Sequence, residues 1–428
     1  MQHLSFKTTI EPAASAAGIG DPSNDPGEPL GRLARRVFAA QQRSPYRQVH
    51  THRIKNLRLR FRLVLNLLRI RSFARRHAAT VRRQRSVPVW RQLRDLFRLA
   101  VVHGVDPATY YAHHLYNAPL GLDEVAHYLG RMEMKNGLYN LLCMLRRADP
   151  NFGLSLSEKV SFSAACRRVG ISVAPVLAVA RSGRWETPPT AEALEGDLFT
   201  KPVRGRGASA ARAYRRIDDG CYLTGDGAVL TRAELLAAIV AASRRRPLML
   251  TRRLENHPEI ADLAAQSLIT FRVFTCLDPG GEPVVTHAML RTLSKLEPRW
   301  NTEEEFAAAV DLETGRLQPM CGDANMAPDA WWDRHPKTGA LVTGRVIAHW
   351  PELADLAVRA HRAFSGRVVV GWDLALTPDG PVVIEGNSDP DTHFLQRVHR
   401  RMIGRSPMAP LLRHHLAAAQ RLLGRHAG

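Results

Sequence analysis

Two carboxylates and a carboxamide stand close together near the end of the sequence, on either side of a short turn. Asp373 precedes the turn segment TPDG at residues 377–380, and Glu385 and Asn387 follow it. Pro presets a type I turn and Gly can take the left-handed conformation, so the segment predicts a hairpin whose loop is the three residues 378–380. Counting outward from this loop places Asp373 directly opposite Glu385, with Asn387 two residues further along the same face.

This set of oxygen atoms is typical of a magnesium site. Like charges directly opposite each other destabilise a strand pair, and Mg²⁺ bound to carboxylates and substrate phosphates is one way to relieve the repulsion. The other face of the predicted hairpin suits a core, because it holds Trp372, Leu374 and Leu376 against Val382 and Ile384. A two-residue loop would place the two carboxylates on opposite faces. An ordinary solvated hairpin is the alternative interpretation.

A lysine followed by a loop of small residues forms a second candidate site. The segment DLFTKPV at residues 197–203 predicts a strand that carries Lys201 to its end, and Gly205 and Gly207 follow in the loop RGRGAS. Exposed backbone N–H groups and small residues allow close approach to phosphates, and the lysine adds a point charge. The loop matches neither the P-loop nor the dinucleotide fingerprint, so a plain hairpin turn explains it equally well.

An arginine lies inside an apolar strand. Arg272 stands in the segment LITFRVFTCL, which the turn DPGG at residues 278–281 joins to a second predicted strand. A buried guanidinium is costly unless it is paired. Either a buried carboxylate or a bound phosphate would satisfy it.

The elements that position these residues divide the chain into an all-helical first third and an α+β remainder. At 428 residues and 45% hydrophobic content, two or three packed domains are expected. Five scattered cysteines without a CxxC pair indicate reduced thiols in the cytoplasm, and residues 1–30 show no signal peptide or membrane span. The predicted divisions are a flexible tail at 1–30, a basic helical region at 31–150 and an α+β domain at 151–428. The helical region includes a predicted helix over about 122–147. The α+β domain is divided into a lid lobe at about 171–250, a metal-binding lobe at about 251–400 and a final helix at about 405–425.

The positive charge is concentrated in one segment. The chain carries a net charge of +20, and residues 31–100 contain 20 Lys and Arg against one acid. Residues 57–76 mix Arg with apolar residues at a spacing that gives a helix a basic side and an apolar side. Such a helix binds an anionic membrane surface, follows nucleic-acid phosphates, or forms the solvated face of a helical domain. No nucleic-acid motif accompanies the charge, so nucleic acid is the least favoured partner.

Taken together, these residues resemble the sugar-transfer-associated ATP-grasp proteins, which are related to α-L-glutamate ligases. The resemblance extends from about Val89 to the end of the sequence. It implies an α+β ATP-grasp fold, in which two lobes enclose an ATP cleft, and ATP-dependent activation of a carboxylate as an acyl phosphate for attack by an amine or another nucleophile. The segments that carry it are GVDPATYY (104–111), TFRVFT (270–275), VDLETGRL (310–317), HPKTG (335–339) and GWDLALTPDGPVVIEGN (371–387).

The resemblance also implies how ATP is bound. By its pattern, Lys159 and Lys201 hold the phosphates of ATP, and Gly205 and Gly207 lie in the mobile lid above them. Adenine is expected against the segment at about 251–255, with Glu255 as a candidate ribose contact. A solvated residue between the lobes is the alternative interpretation of this glutamate.

The same pattern assigns the reacting end of the site. Asp373, Glu385 and Asn387 match the positions of the Mg²⁺ ligands, in agreement with the hairpin register. Arg272 resembles the arginine that steadies the transferred phosphate, and Arg291 the arginine of the neighbouring strand that faces the substrate. The alternative interpretation of both arginines is that each is the partner in a buried structural ion pair.

Two classes of function follow. The favoured hypothesis is an ATP- and Mg²⁺-dependent ligase that joins small-molecule or glycan-linked carboxylate and amine substrates in cell-surface polysaccharide biosynthesis. It would work in the cytoplasm, with the basic helices of residues 31–100 docked at the inner membrane surface. The alternative is a non-catalytic adaptor that binds membrane or an acidic polymer and keeps a nucleotide-binding fold only as a scaffold.

Overall fold

The computed structural model defines where the predicted elements lie. The predicted tail falls almost entirely outside the described residues, as do residues 57–61 of the basic amphipathic segment and Gly207 of the lysine loop. The described residues are 27–47, 62–116, 122–205, 211–218, 220–265, 267–294, 305–322 and 330–425.

The first third of the described chain is helical. The side chain of Asp106 caps the start of the fourth helix by accepting the N–H of Ala108 at 2.9 Å. Tyr110 and Tyr111 of that helix are buried with Leu96 and Leu99 of the third helix, which holds these helices together. The helices are α1 (Leu30–Gln41), α2 (Arg62–Arg85), α3 (Val89–Val101) and α4 (Ala108–Ala112).

The predicted continuous helix over about 122–147 is wrong, because two glycines interrupt it. Gly130 is extended, and Gly137 has φ 179° and ψ −54°, which is outside the helical region. The side chain of Gln41 enters at the second break and donates from Nε2 to Gly137 O at 3.0 Å. A Cβ at Gly137 would lie 2.3 Å from Gln41 Oε1, so any larger residue would displace the Gln41 side chain. The segment forms a 3₁₀ turn (Leu122–His127), α5 (Arg131–Glu133), a π turn (Met134–Leu138) and α6 (Tyr139–Met144).

An antiparallel sheet of seven described strands follows α7 (Lys159–Arg168), in the order β2-β1-β7-β3-β4-β5-β6. Helix α8 (Arg232–Ser243) packs on it through Leu235 and Ile239. A capping box between Thr231 and Glu234 starts that helix. The strands are β1 (Val176–Arg181), β2 (Arg184–Thr187), β3 (Leu198–Pro202), β4 (Arg212–Arg216), β5 (Cys221–Thr224), β6 (Val229–Thr231) and β7 (Leu248–Arg252).

A second antiparallel sheet of seven described strands has the order β12-β11-β10-β9-β8-β13-β14. Helix α9 (Trp350–Ala363) covers one face, and α1, α10 (Thr392–Val398) and α11 (Met408–Gly424) cover the other. The N-terminal helix α1 therefore shares a core with this sheet. The strands are β8 (Thr270–Leu277), β9 (Pro283–Leu293), β10 (Glu305–Val310), β11 (Leu317–Gly322), β12 (Trp331–Trp332), β13 (Val369–Thr377) and β14 (Gly380–Asn387).

The hairpin of β13 and β14 differs from its predicted register near the turn. Its loop has two residues, so the predicted three-residue loop is wrong, and Thr377 pairs with Gly380. Leu374 pairs with Val383. On the core face of β14, Val383 therefore replaces the predicted Val382 and Ile384. Ile384 is then an extra residue that bulges from the ladder, and beyond it Asp373 pairs with Glu385. The predicted opposition of the two carboxylates is confirmed, because the bulge compensates for the shorter loop.

The same hairpin anchors the two connections between the sheets. The N–H of Val383 donates to Ser172 O, just before β1, at 2.9 Å. The N–H of His257, just after β7, donates to Leu376 O at 2.9 Å. The chain therefore enters and leaves the first sheet beside β13 and β14, which brings the two sheets together at this hairpin.

Candidate functional site

Three oxygen-bearing side chains converge on one face of the hairpin. Asp373 is buried in the middle of β13, and Glu385 and Asn387 lie on β14. The amide nitrogen of Asn387 lies 3.4 Å from Asp373 Oδ2 and 3.4 Å from Glu385 Oε1. The structure thus brings together the three residues that the sequence assigns to the metal.

Arg272 on β8 is the cross-strand neighbour of Asp373 and forms a two-pronged ion pair with it. Nη2 donates to Oδ2 at 2.7 Å and Nε donates to Oδ1. Burial by itself would raise the pKa of Asp373, but the guanidinium groups of Arg272 and Arg291 outweigh it and hold that pKa below its ordinary value. Of the two predicted ways to satisfy Arg272, the carboxylate is the one seen here.

Arg291 on β9 bridges two acids. Its Nε donates to Glu305 Oε1 at 2.6 Å, and its Nη1 lies 3.4 Å from Asp373 Oδ1. Glu305 is 1% exposed, at the start of β10. Sequence reasoning missed this glutamate. It stands in the run EEEF, where three adjacent acids give no indication of which one turns inward.

Glu385 has a different electrostatic environment from Asp373. Burial and the neighbouring Asp373 carboxylate raise its pKa, against the opposing effect of Lys159. Lys159 Nζ lies 3.8 Å from Glu385 Oε2 and donates to Gly205 O at 3.1 Å. The backbone of Lys159 is also fixed, because its N–H donates to Val203 O at 3.0 Å at the start of α7.

Lys201, on the first sheet, interacts electrostatically with the same carboxylate. It lies on β3, where burial lowers the pKa of its ammonium to about 8, with Glu385 raising it and Lys159 lowering it further. Gly205, which follows this strand, has φ +147°, a conformation that favours glycine. Both predicted lysines therefore lie between the two sheets, next to Glu385.

The donor set fits a hard divalent cation. Asp373 and Glu385 offer carboxylate oxygens, which Mg²⁺ prefers, and no described cysteine or histidine belongs to the cluster. Asn387 faces both carboxylates with its amide nitrogen, so a half-turn of the amide would be needed to present its oxygen to a cation. The crowding of two carboxylates that raises the pKa of Glu385 is also what a bound cation would relieve.

Glu255 lies apart from this cluster. It is exposed after β7 and lines an open depression of about 730 Å³ together with Arg252 and Arg253. Among the described residues, no hydrogen bond or ion pair connects it to Asp373 or Glu385. Its predicted contact with a ribose stays a prediction.

The helical region supplies two cations that sequence reasoning missed, Arg131 and Lys135. Asp391, four residues after the metal strand, caps α10 by accepting the N–H of His393 at 2.8 Å. It pairs with Arg131 Nε at 2.9 Å and Lys135 Nζ at 3.3 Å. Burial raises the pKa of Asp391, but these two cations outweigh it and bring the pKa to about 2. Nothing in the local sequence indicates these pairs, which join positions more than 250 residues apart.

Comparison with known proteins identifies the family to which most of the chain is similar. Residues 146–405 match the model of the family described as sugar-transfer associated ATP-grasp. Similar solved structures include the D-alanine-D-alanine ligase from Coxiella burnetii, with 14% identity over 65% of this chain and 60% of that chain and a TM-score of 0.37. The VanG D-Ala:D-Ser ligase from Enterococcus faecalis has 15% identity over 63% of this chain and 62% of that chain and a TM-score of 0.37. Another is the ATP-grasp ligase PsnB complexed with minimal precursor, with 16% identity over 68% of this chain and 68% of that chain and a TM-score of 0.32.

The similarity covers only part of the related ligases. The chain spans less than two thirds of the length of the first two ligases. No curated protein matches the sequence. Within the described ranges, every helix is too short or too polar to cross a membrane.

Proposed function

The chain belongs to the sugar-transfer-associated ATP-grasp family, and on this premise we propose that it is an ATP- and Mg²⁺-dependent ligase. The observation that carries the proposal is the ion pair of Lys159 with Glu385 at 3.8 Å, together with Lys201, which is close enough for its charge to interact with the same carboxylate. The carboxylate cluster on one side would hold a cation, and the two lysines on the other would hold the phosphates of a nucleotide. The charges of the cation and the phosphates then neutralise each other.

Each residue then has a role in holding phosphate oxygens. Lys159 and Lys201 bind the phosphates of ATP, and Gly205 lets the backbone approach them. Mg²⁺ held by Asp373, Glu385 and Asn387 supplies positive charge to the phosphate oxygens. Arg272 and Arg291, which bind the metal ligand Asp373, are assigned to the transferred phosphate. We assign Glu255 to the ribose only by resemblance.

The proposed reaction has two steps. A carboxylate oxygen of one substrate attacks the γ-phosphorus of ATP, the bond from that phosphorus to the bridging oxygen of ADP breaks, and an acyl phosphate forms. An amine or another nucleophile then attacks the acyl carbon, loses a proton, and releases inorganic phosphate. Small-molecule or glycan-linked carboxylates and amines are the proposed substrates, and the sugar-transfer association of the family supports a role in cell-surface polysaccharide biosynthesis.

The basic helices support a second element of the proposal, docking of the chain on the cytoplasmic surface of the inner membrane. Large apolar side chains are exposed on α2 and α3: Leu68 is 69% exposed, Trp90 65% and Phe97 53%. Arginines stand between them, and the guanidinium of Arg94 lies 5.6 Å from the ring of Trp90. Exposed apolar residues interleaved with cations fit an anionic lipid surface.

Nucleotide turnover separates the ligase from a non-catalytic adaptor. In the presence of Mg²⁺, a ligase binds and slowly turns over ATP, and Glu385→Ala abolishes both because the cation loses a ligand. Glu282→Ala is the matched control, since Glu282 is exposed and pairs with Arg362 on the surface. If the native chain binds no ATP, or if Glu385→Ala changes nothing, the adaptor is the correct interpretation.

A further inference from the structure

A second cavity lies where the helical region meets the far edge of the second sheet. Its volume is about 550 Å³, within the range of small-molecule sites. Residues 112–114, at the end of α4, line one side, and Trp331 of β12 with Arg397 of α10 lines another. The proposed ATP site is elsewhere, because β12 and the strand of Asp373 are five strands apart in the sheet order, or about 24 Å at the usual strand spacing.

The lining is strongly basic. It contains five arginines and, among the described residues that line it, a single carboxylate, Glu124. This gives a formal charge of +4. Glu124 pairs with Arg405 at 3.1 Å at the edge of the cavity. The arginines are Arg85, Arg397, Arg400, Arg401 and Arg405.

Two of these guanidinium groups, one buried and one exposed, are held in position by contacts within the chain. Arg397 is 2% exposed, and it donates from Nε to Gly322 O at 3.1 Å and from Nη1 to Ala112 O. The guanidinium carbon of Arg400 lies 3.8 Å from the centre of the Trp331 ring, and that of Arg397 lies 5.8 Å from it. Cation–π contacts of this kind orient arginines without neutralising their charge.

One polar atom beside the arginines makes no hydrogen bond. Nε2 of His113, which lines the cavity, is buried and has no hydrogen-bond partner within the described part of the chain. Burial and the neighbouring His393, Arg397 and His114 lower the pKa of His113, so the imidazole is neutral. A neutral ring nitrogen can share a hydrogen with a ligand that the guanidinium groups attract.

We propose that this cavity binds the diphosphate group of a small organic ligand, separately from ATP. Arginine forks match the geometry of phosphate oxygens and bind them with charge-assisted hydrogen bonds. A formal charge of +4 favours a group with two or more negative charges over a single carboxylate. The ligand enters past Arg400 and Arg401, which are exposed, and its charged end meets Arg397 inside.

Titration calorimetry with inorganic pyrophosphate tests the site in the full chain without Mg²⁺ and without nucleotide. The test variant is Arg400→Gln with Arg401→Gln, which changes two exposed side chains and leaves the buried Arg397 in place. The matched control is Arg359→Gln, an exposed arginine of α9 that pairs with Asp355. A third protein, Lys159→Gln with Lys201→Gln, reports on pyrophosphate bound at the proposed ATP site.

The proposal predicts that the double arginine variant binds pyrophosphate at least tenfold more weakly than the native chain, from the usual strength of hydrogen bonds between charged groups. The control and the lysine variant stay within about twofold of the native chain. Unchanged binding in the arginine variant, or loss of binding in the lysine variant alone, would overturn it. Because no ATP is used, failure here is distinguishable from failure of the proposed ligase.

The same assay distinguishes a soluble ligand from a lipid. Vesicles of phosphatidylcholine with phosphatidic acid, which carries an exposed phosphate, are added to the native chain before pyrophosphate. Competition that phosphatidylcholine alone does not produce indicates a lipid headgroup as the source of the phosphate. Undiminished pyrophosphate binding indicates a soluble phosphorylated ligand.

Discussion

Asp373 and Glu385 lie directly opposite each other across β13 and β14, yet their pKa values are shifted in opposite directions. The pKa of Asp373 is lowered, because the pull of Arg272 and Arg291 exceeds the effect of burial, whereas burial and the charge of Asp373 raise the pKa of Glu385. Glu385 is thus the carboxylate left to be neutralised by a cation or by the two lysines between the sheets.

The charge of Lys201 should make ATP binding depend on pH. Its pKa of about 8 means that the ammonium is mostly charged at pH 7 and mostly neutral at pH 9. Since only the charged form attracts phosphate, we expect ATP affinity to fall by up to about tenfold over this interval. Isothermal titration at several pH values measures it. Lys201→Arg, which keeps its charge, should flatten the profile, and an equal fall in both proteins would exclude Lys201 as the group responsible.

Arg272 should be needed for stability as well as for phosphate binding. Arg272→Met leaves the buried carboxylate of Asp373 without its two-pronged partner, and we expect a loss of about 3–5 kcal/mol in the free energy of unfolding. Adding Asp373→Asn removes the stranded charge and should recover much of that loss, as urea denaturation would show. If the double variant is no more stable than Arg272→Met, the two side chains are not energetically coupled.

Asp391 should stabilise the fold above about pH 4 and lose this effect in strong acid. Its folded pKa of about 2 lies below the ordinary 3.8, so its contribution is largely present above about pH 4 and is lost as pH falls through 2. We expect Asp391→Asn, which can still cap α10, to lower the unfolding free energy by about 2 kcal/mol at pH 7 and by much less near pH 2. Urea denaturation at both pH values measures the difference. A loss of the same size at both would show that the ion pairs with Arg131 and Lys135 are not its cause.

The exposed aromatic residues of α3 should control binding to membranes. Trp90→Ser with Phe97→Ser removes two exposed rings and should leave the fold intact, because neither belongs to a buried cluster. We expect several-fold weaker sedimentation with anionic vesicles, and binding of the native chain that declines as salt is added. The full chain is preferable to a truncation at Val89, because α2 and α3 share a core through Val81 and Leu96. Sedimentation equal to that of the native chain would remove the membrane role.

The family and the α+β fold were predictable from the sequence, and the match over residues 146–405 confirms both. The family was predictable because five segments of the sequence resemble it, and the hairpin within the fold because a turn signal lies between alternating core and polar residues. The loop length was not predictable. Turn residues permit both two- and three-residue loops, and no feature of Ile384 announces a bulge.

The remaining misses depend on contacts between distant parts of the chain. The break at Gly137 coincides with a contact from a distant helix, because the side chain of Gln41 lies against this glycine and donates to its carbonyl. Lys135 pairs with Asp391, and Glu305 with Arg291, only once the sheet and the helical region are assembled. Local propensity carries no information about such partners, since tertiary packing decides them.

The most direct test of the account is electron paramagnetic resonance of Mn²⁺, which stands in for Mg²⁺, titrated into the chain with ADP. Binding beyond that of ADP alone reports a cation seated by the protein. The account predicts such binding for the native chain and for the control Glu282→Gln, and at least a tenfold loss for Glu385→Gln. Equal binding by Glu385→Gln and the native chain would contradict the assignment of Asp373, Glu385 and Asn387 as the metal ligands.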